Sequence, residues 1–118
     1  MARTAQEILD HHNEAVFTEN FKEIMKDYTD DSILITLYGI LKGKDAIEDF
    51  FKNNLLKKMP NMKAVETPDN VLLVKEDTIM VRWSAESDLA RIKNGVDTFV
   101  FIDDKIWRQT ACFDIVRK

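Results

Sequence analysis

An α+β fold is predicted for this chain on three observations. Apolar residues recur at the helical period only before Met62. Beyond it they alternate, or run in β-branched and aromatic blocks separated by turn residues. No helix-length segment divides those later strands, so they must form an antiparallel meander and not parallel crossovers. The helices gathered at the front must then cover one face of a curved sheet.

Each element has its own signal. Thr4-Ala5-Gln6-Glu7 fits a capping box, and a helix with Ile8, His12, Ala15 and Val16 on its apolar side should follow. Asn20 opens a second helix with the stripe Phe21, Ile24, Met25 and Tyr28, stopped by Thr29-Asp30-Asp31. Ser32–Tyr38 is an almost wholly apolar strand, a pattern that calls for cover on both faces. Gly39 and Gly43 bracket a short extended piece. A third helix runs over Lys44–Leu56, burying Ala46, Ile47, Phe50, Phe51 and Leu55, until Met59-Pro60-Asn61 breaks it. Lys63–Glu66 is a strand. Val71–Lys75 and Thr78–Glu86 form a hairpin that turns at Glu76-Asp77, and the charged stretch Ser87–Asn94 reads as loop or ragged edge.

Two long strands close the chain, Val96–Ile102 and Ile106 to about Val116, joined by a turn at Asp103-Asp104-Lys105. Asp97 shares a strand face with Phe99 and Phe101, because side chains two apart lie on one side. Such a carboxylate sits either at the rim of an aromatic face or inside a pocket. Val96, Thr98, Val100 and Ile102 make the opposite face nearly as apolar, so this strand needs two covers.

Composition narrows the function. The 118 residues suit one domain with one core. A net charge of −4 with no basic block argues against nucleic acid and anionic membranes as partners. One cysteine, Cys112, permits no intrachain disulfide. The first residues lack the apolar core of a secretory signal, and no run has the length of a membrane span. A cytoplasmic location is expected. No metal or cofactor is expected either. His11 and His12 are adjacent on a helix and diverge, and Glu7 with His11 supplies two ligands where zinc sites need more.

The order of several short motifs resembles a known superfamily. They are His12-Asn13-Glu14-Ala15, Asn20-Phe21-Lys22-Glu23, Tyr28-Thr29-Asp30-Asp31-Ser32, Leu41-Lys42-Gly43-Lys44-Asp45-Ala46-Ile47 with Phe50-Phe51, then Trp83, Val96-Asp97-Thr98-Phe99 and Lys105-Ile106. Together they resemble the nuclear transport factor 2-like, or cystatin-like, fold, and within it the SnoaL-like polyketide cyclase and ketosteroid isomerase branch. The resemblance spans nearly the whole chain and implies a single domain over residues 1–118. It implies a cone, in which a curved, largely antiparallel but mixed sheet wraps three helices around a pocket. It also implies a homodimer through the outer face of the sheet.

By that resemblance Asp97 is the candidate catalytic carboxyl. His12, Thr36, Tyr38, Trp83, Phe99, Phe101, Trp107, Gln109 and Phe113 should line the pocket, with Ala111 also inward. Ketosteroid isomerase needs a carboxylate base and a Tyr–Asp oxyanion hole. Here the base position falls at Thr36 and the Tyr position near Ala15, so that activity is not expected. The SnoaL acid/base position falls at Ala111. Three functions follow: an apolar pocket for a small hydrophobic molecule, without required catalysis; an isomerase, dehydratase or cyclase acting on a carbonyl compound through Asp97; or a protein-interaction module whose cavity is filled by its own aromatics.

Overall fold

The computed structural model describes residues 2–118. Helix α1 (Ala5–Phe17) begins with the expected capping box, in which the Thr4 hydroxyl accepts from the Glu7 N–H and the Glu7 carboxylate accepts from the Thr4 N–H. It buries Ile8, Leu9, His12, Ala15 and Val16. Helix α2 (Phe21–Met25), capped by Asn20, is a turn shorter than its stripe suggests, so Tyr28 lies beyond it. Strand β1 (Ile33–Thr36) turns into β2 (Gly39–Lys42). The third helical segment comprises α3 (Lys44–Phe50), a π-helical stretch Phe51–Leu55 and a last turn, α4 (Leu56–Lys58). Strands β3 (Lys63–Val65), β4 (Val71–Lys75), β5 (Thr78–Glu86), β6 (Ala90–Ile102), β7 (Lys105–Cys112) and β8 (Val116–Arg117) complete the chain.

The eight strands form one mixed sheet in the order β2-β1-β7-β6-β5-β3, with β4 on β5 and β8 on β6. Only β1 and β7 pair in parallel; every other ladder is antiparallel. The helices cover the inner face, and the core between them includes Leu9, Ile24, Tyr28, Leu34, Ile47 and Phe99.

Two expectations about strands are corrected. Of Ser87–Asn94 only residues 87–89 form a loop, since β6 begins at Ala90, where Ala90 and Ile92 point inward and Arg91 and Lys93 outward. That alternation was concealed by the charges on the outer positions. The last strand stops at Cys112, and Val116–Arg117 returns to pair with Ala90–Arg91. Between β6 and β7, Asp103 and Asp104 both adopt positive φ, 52° and 66°. This is the left-handed pair that matches the twist of a two-residue hairpin, and Asp tolerates it better than most residues.

One irregularity decides which side chains face inward. The ladder pairs Val100 with Arg108 but Phe101 with Ile106, so Trp107 is an extra residue in β7. A bulge of this kind reverses the parity of everything beyond it. Gln109, Ala111 and Phe113 are buried, as is Ile106, while Trp107 is turned out.

Candidate functional site

A cavity of about 420 Å³ opens between α1, the π-helical stretch and the inner faces of β3, β5, β6 and β7. That size suits a small organic molecule. Leu9, Val16, Phe51, Leu55, Met62, Val81 and Phe99 supply most of its apolar wall. Polar residues also line it, and four of the polar-tipped side chains stand on its inner wall: His12, Trp83, Asp97 and Gln109.

Asp97 is placed by the alternation of β6, which turns Gly95, Asp97, Phe99 and Phe101 inward. Its carboxyl is fixed on both sides. Trp83 Nε1 donates to Oδ1 at 3.0 Å and Gln109 Nε2 donates to Oδ2 at 3.1 Å. The Gln109 carbonyl oxygen in turn accepts from the Tyr28 hydroxyl. Tyr28 and Gln109 thus donate in sequence toward one carboxyl oxygen, and Trp83 donates to the other. Burial raises the Asp97 pKa to about 6, against the smaller opposing effect of the Trp83 and Gln109 hydrogen bonds. Tyr28 is pushed well above its ordinary value, first by burial and then by the nearby Asp97 and Asp27.

His12 faces the same cavity from α1. Its ring sits edge-on among Tyr28, Phe51 and Phe99, with centroids 5.9, 5.8 and 5.6 Å away. Its Nδ1 is buried and has no hydrogen-bond partner among the described residues. Burial lowers its pKa to about 4, so the imidazole is neutral at physiological pH. His11, one residue earlier, faces away from the cavity toward Asp27 and Glu23.

The structure brings together His12, Trp83, Asp97, Phe99 and Gln109 of the expected pocket, with Ala111 beside them. It places the others elsewhere. Trp107 is 37% exposed on the outer face, turned there by its bulge, with the Arg108 guanidinium 3.7 Å over its ring. Thr36 is spent in the β1–β2 turn, where its hydroxyl accepts from Tyr38 N–H at 2.9 Å. Tyr38 is half-exposed at that turn, with Lys58 above its ring. Tyr38 was counted as a strand residue, but β1 ends at Thr36. Phe101 stacks on Phe99 deeper in the core, and Phe113 packs between Trp83 and Phe50, behind the cavity wall. The aromatics therefore do not fill the cavity. Among the described residues no cluster of His, Cys, Asp and Glu is arranged to hold a metal ion.

Two residues that matter here carried little signal. Tyr28 was read as ordinary core, because a hydroxyl partner 81 positions away is invisible to local pattern. Gly95 was not singled out. A Cβ at Gly95 would stand 2.9 Å from the Trp83 ring, so its missing side chain is what lets the indole lie against β6 with its N–H on Asp97. A glycine inside a strand next to an aromatic cross-strand partner is the available sign of such close approach.

No family model matches the chain, and no curated protein matches it in sequence. Solved structures do match in fold. An NTF2-like protein of unknown function from Cytophaga hutchinsonii superposes with a TM-score of 0.76 at 14% identity, over 97% of this chain and 93% of that one. A SnoaL-like protein of unknown function from Burkholderia thailandensis gives 0.73 at 15% identity, covering 93% and 94%. A candidate SnoaL-like polyketide cyclase from Shewanella denitrificans gives 0.75 at 12% identity, covering 93% and 90%. The α+β, NTF2-like fold expected from the sequence is the fold observed. At such identities the likeness extends to the fold and no further.

Proposed function

We propose that this chain is a small-molecule-binding domain whose ligand is largely apolar and carries one polar group that meets Asp97. The carrying observation is the cavity itself: about 420 Å³ of mostly apolar space with one buried carboxyl held at its wall by two neutral donors. A cavity of this composition favours a ligand oriented at a single polar point. Titration calorimetry with small amphipathic aromatics is the test. Saturable binding to the wild type, abolished by Ala64→Trp at the cavity wall, supports the reading; absence of binding across such a set defeats it.

A second reading, proton transfer on a carbonyl substrate, has one observation in its favour. A carboxyl with pKa about 6 is near the value a general base needs at neutral pH. The catalytic positions of better-known relatives are nevertheless occupied by Ala15, Thr36 and Ala111, and Thr36 is bonded within its turn. Turnover of an enolisable ketone that Asp97→Asn abolishes would favour this reading.

The same proposal includes a homodimer through the outer sheet face. One row of that face runs Ile35, Thr110, Thr98, Met80, Leu73 across five strands, with no charge in it. Met80 and Leu73 are exposed in the isolated chain. Light scattering should give twice the chain mass, falling to one chain mass in Met80→Glu; a monomeric wild type would count against the dimer.

A further inference from the structure

The reading of the cavity as a ligand site can be taken one step further, to the charge of its ligand. We infer that the polar group meeting Asp97 is a protonated amine, and that the ligand class is a small hydrophobic ammonium compound. The inference rests on the preceding proposal and on four features of the wall.

The first is the direction of the hydrogen bonds. An indole N–H can only donate, so Asp97 Oδ1 is held as an acceptor. The Tyr28 hydroxyl donates to the Gln109 oxygen, which leaves the Gln109 amide N–H to face Oδ2. The set is built around an ionised carboxylate whose remaining lone pairs are free to accept. The second is the missing counter-ion. Among the described residues Asp97 takes part in no ion pair, and Arg82, the basic side chain on the cavity wall, donates to the Asp69 backbone oxygen. A buried carboxylate with neutral donors alone remains electrostatically unsatisfied, and a cation in the cavity would complete it.

Third, the wall carries a neutral imidazole and several π-faces, beside the amide and hydroxyl groups of Gln6, Asn13, Asn70 and Ser84. His12 is neutral with an unpartnered buried nitrogen, and Phe51, Phe99 and Trp83 present rings that attract a cation. Fourth, Asp10 and Glu66 add negative charge to the wall. A neutral ketone meeting the polar group at Asp97 would need a donor there, but the Trp83 hydrogen beside the carboxyl is already committed to it.

The test compares 2-phenylethylamine with 2-phenylethanol and phenylacetone by calorimetry at about pH 5 and about pH 7.5. The groups around Asp97 leave it the principal titrating member of the site in that window. Trp83 from β5 and Gln109 from β7 do not titrate, Tyr28 lies far above the window, and His12 from α1 lies below it. Asp10, Glu66 and Arg82 also face the cavity. His11 titrates outside the cavity and is removed as a variable by His11→Gln. With Asp97 at about 6, its ionised fraction rises about tenfold between the two conditions, and amine affinity should rise about tenfold with it. The alcohol should change by less than about twofold on the same grounds. Asp97→Asn should remove the amine's preference and its pH dependence while the alcohol still binds. Carbon-13 titration of the wild-type Asp97 carboxyl keeps the test independent of that variant's folding: amine binding should lower its pKa. An amine bound no more tightly than the alcohol at the higher pH overturns the inference alone, as does ketone affinity that grows toward acid. Failure of all three probes overturns it together with the binding reading.

Discussion

Asp27 and Asp97 are both withdrawn from water, yet they are held by opposite kinds of partner. Asp27 is fully buried and meets a guanidinium and an imidazole: Arg3 NH1 lies 3.0 Å from Oδ1 and His11 Nδ1 lies 2.6 Å from Oδ2. Arg3 continues to Asp104 in the β6–β7 turn, and the other His11 nitrogen reaches Glu23 at 3.0 Å. That cluster ties Arg3 and α1 to the tip of the hairpin, and it pairs the Asp27 carboxylate within the chain. Among the described residues Asp97 has only Trp83 and Gln109. The two sites are linked through neighbouring residues, His11 with His12 and Asp27 with Tyr28, so one helix turns one histidine to each. A balanced buried carboxylate is what structure requires. An unbalanced one beside a cavity is a departure from that rule, and such departures concentrate at functional sites.

The comparison breaks most severely if the balance around Asp27 is removed. In Arg3→Ala/His11→Ala both partners disappear and the carboxylate is stranded. Loss of the partners of a buried charge costs about 3–5 kcal/mol. Urea unfolding should show a loss in that range, and a loss below about 1 kcal/mol would mean that the cluster is incidental. The His11 single variant adds a pH signature. Its folded pKa is raised, chiefly by Glu23 and then by Asp27. Its contribution is therefore complete below the unfolded value near 6.5 and disappears as pH rises through the folded pKa. His11→Gln should flatten that decline.

At Asp97 the pH trend has the same direction, but here it is the ionised form that burial penalises. A carboxyl raised from 3.8 to about 6 binds more protons in the folded state across that interval, so stability falls as pH rises through it. By the usual 1.36 kcal/mol per pKa unit, the ionised group costs about 3 kcal/mol at neutral pH. Asp97→Asn should therefore stabilise the empty protein by up to about that amount, whereas a structural carboxylate would be missed. His12 masks the effect below neutrality. Lowered from 6.5 to about 4, it stays neutral in the folded state while the unfolded state takes up a proton, so its contribution increases as pH rises. The two slopes nearly cancel between about pH 4 and 6. Relative to the wild type, thermal melts across that window should rise more steeply with pH in Asp97→Asn and less steeply in His12→Leu. Parallel curves for the two variants would refute the opposition.

The sequence made different parts of this legible for different reasons. Helix starts, the Asp103-Asp104 turn and the α+β order follow from local chemistry, and they agree with the fold. Asp97 was conspicuous because a charge among β-branched and aromatic neighbours is rare. Its inward face, however, came from the family resemblance, since Val96, Thr98 and Val100 are equally apolar. Trp107 went to the wrong face because one bulged residue reverses parity, and nothing local marks the bulge. Tyr38 was carried past the true end of β1, and Thr36, at that end, is bonded into the turn. The Asp27 cluster was not seen at all, because Arg3, His11, Asp27 and Asp104 meet only in three dimensions and each alone reads as surface.

The smallest change expected to sharpen the contrast is at Gly95, which touches neither carboxylate. Its φ is not in the left-handed region, so the constraint is space and not backbone strain. An added methyl would meet the Trp83 ring at 2.9 and 3.1 Å and the Phe113 Cβ at 3.2 Å. The indole is wedged against Phe113, with ring centroids 5.8 Å apart, so it can yield only by lifting toward the cavity. That motion draws Nε1 from Asp97 and removes one of the two donors opposing the rise of its pKa. Gly95→Ala should cost about 1–3 kcal/mol, as overpacking does. It should also move the Asp97 titration above its wild-type value while leaving His11 unchanged. The second readout separates a specific effect from general loosening: the Asp27 cluster lies outside the cavity and shares no side chain with Trp83, so a shift at both carboxyl sites would show that Gly95 supports the fold as a whole and not the cavity wall.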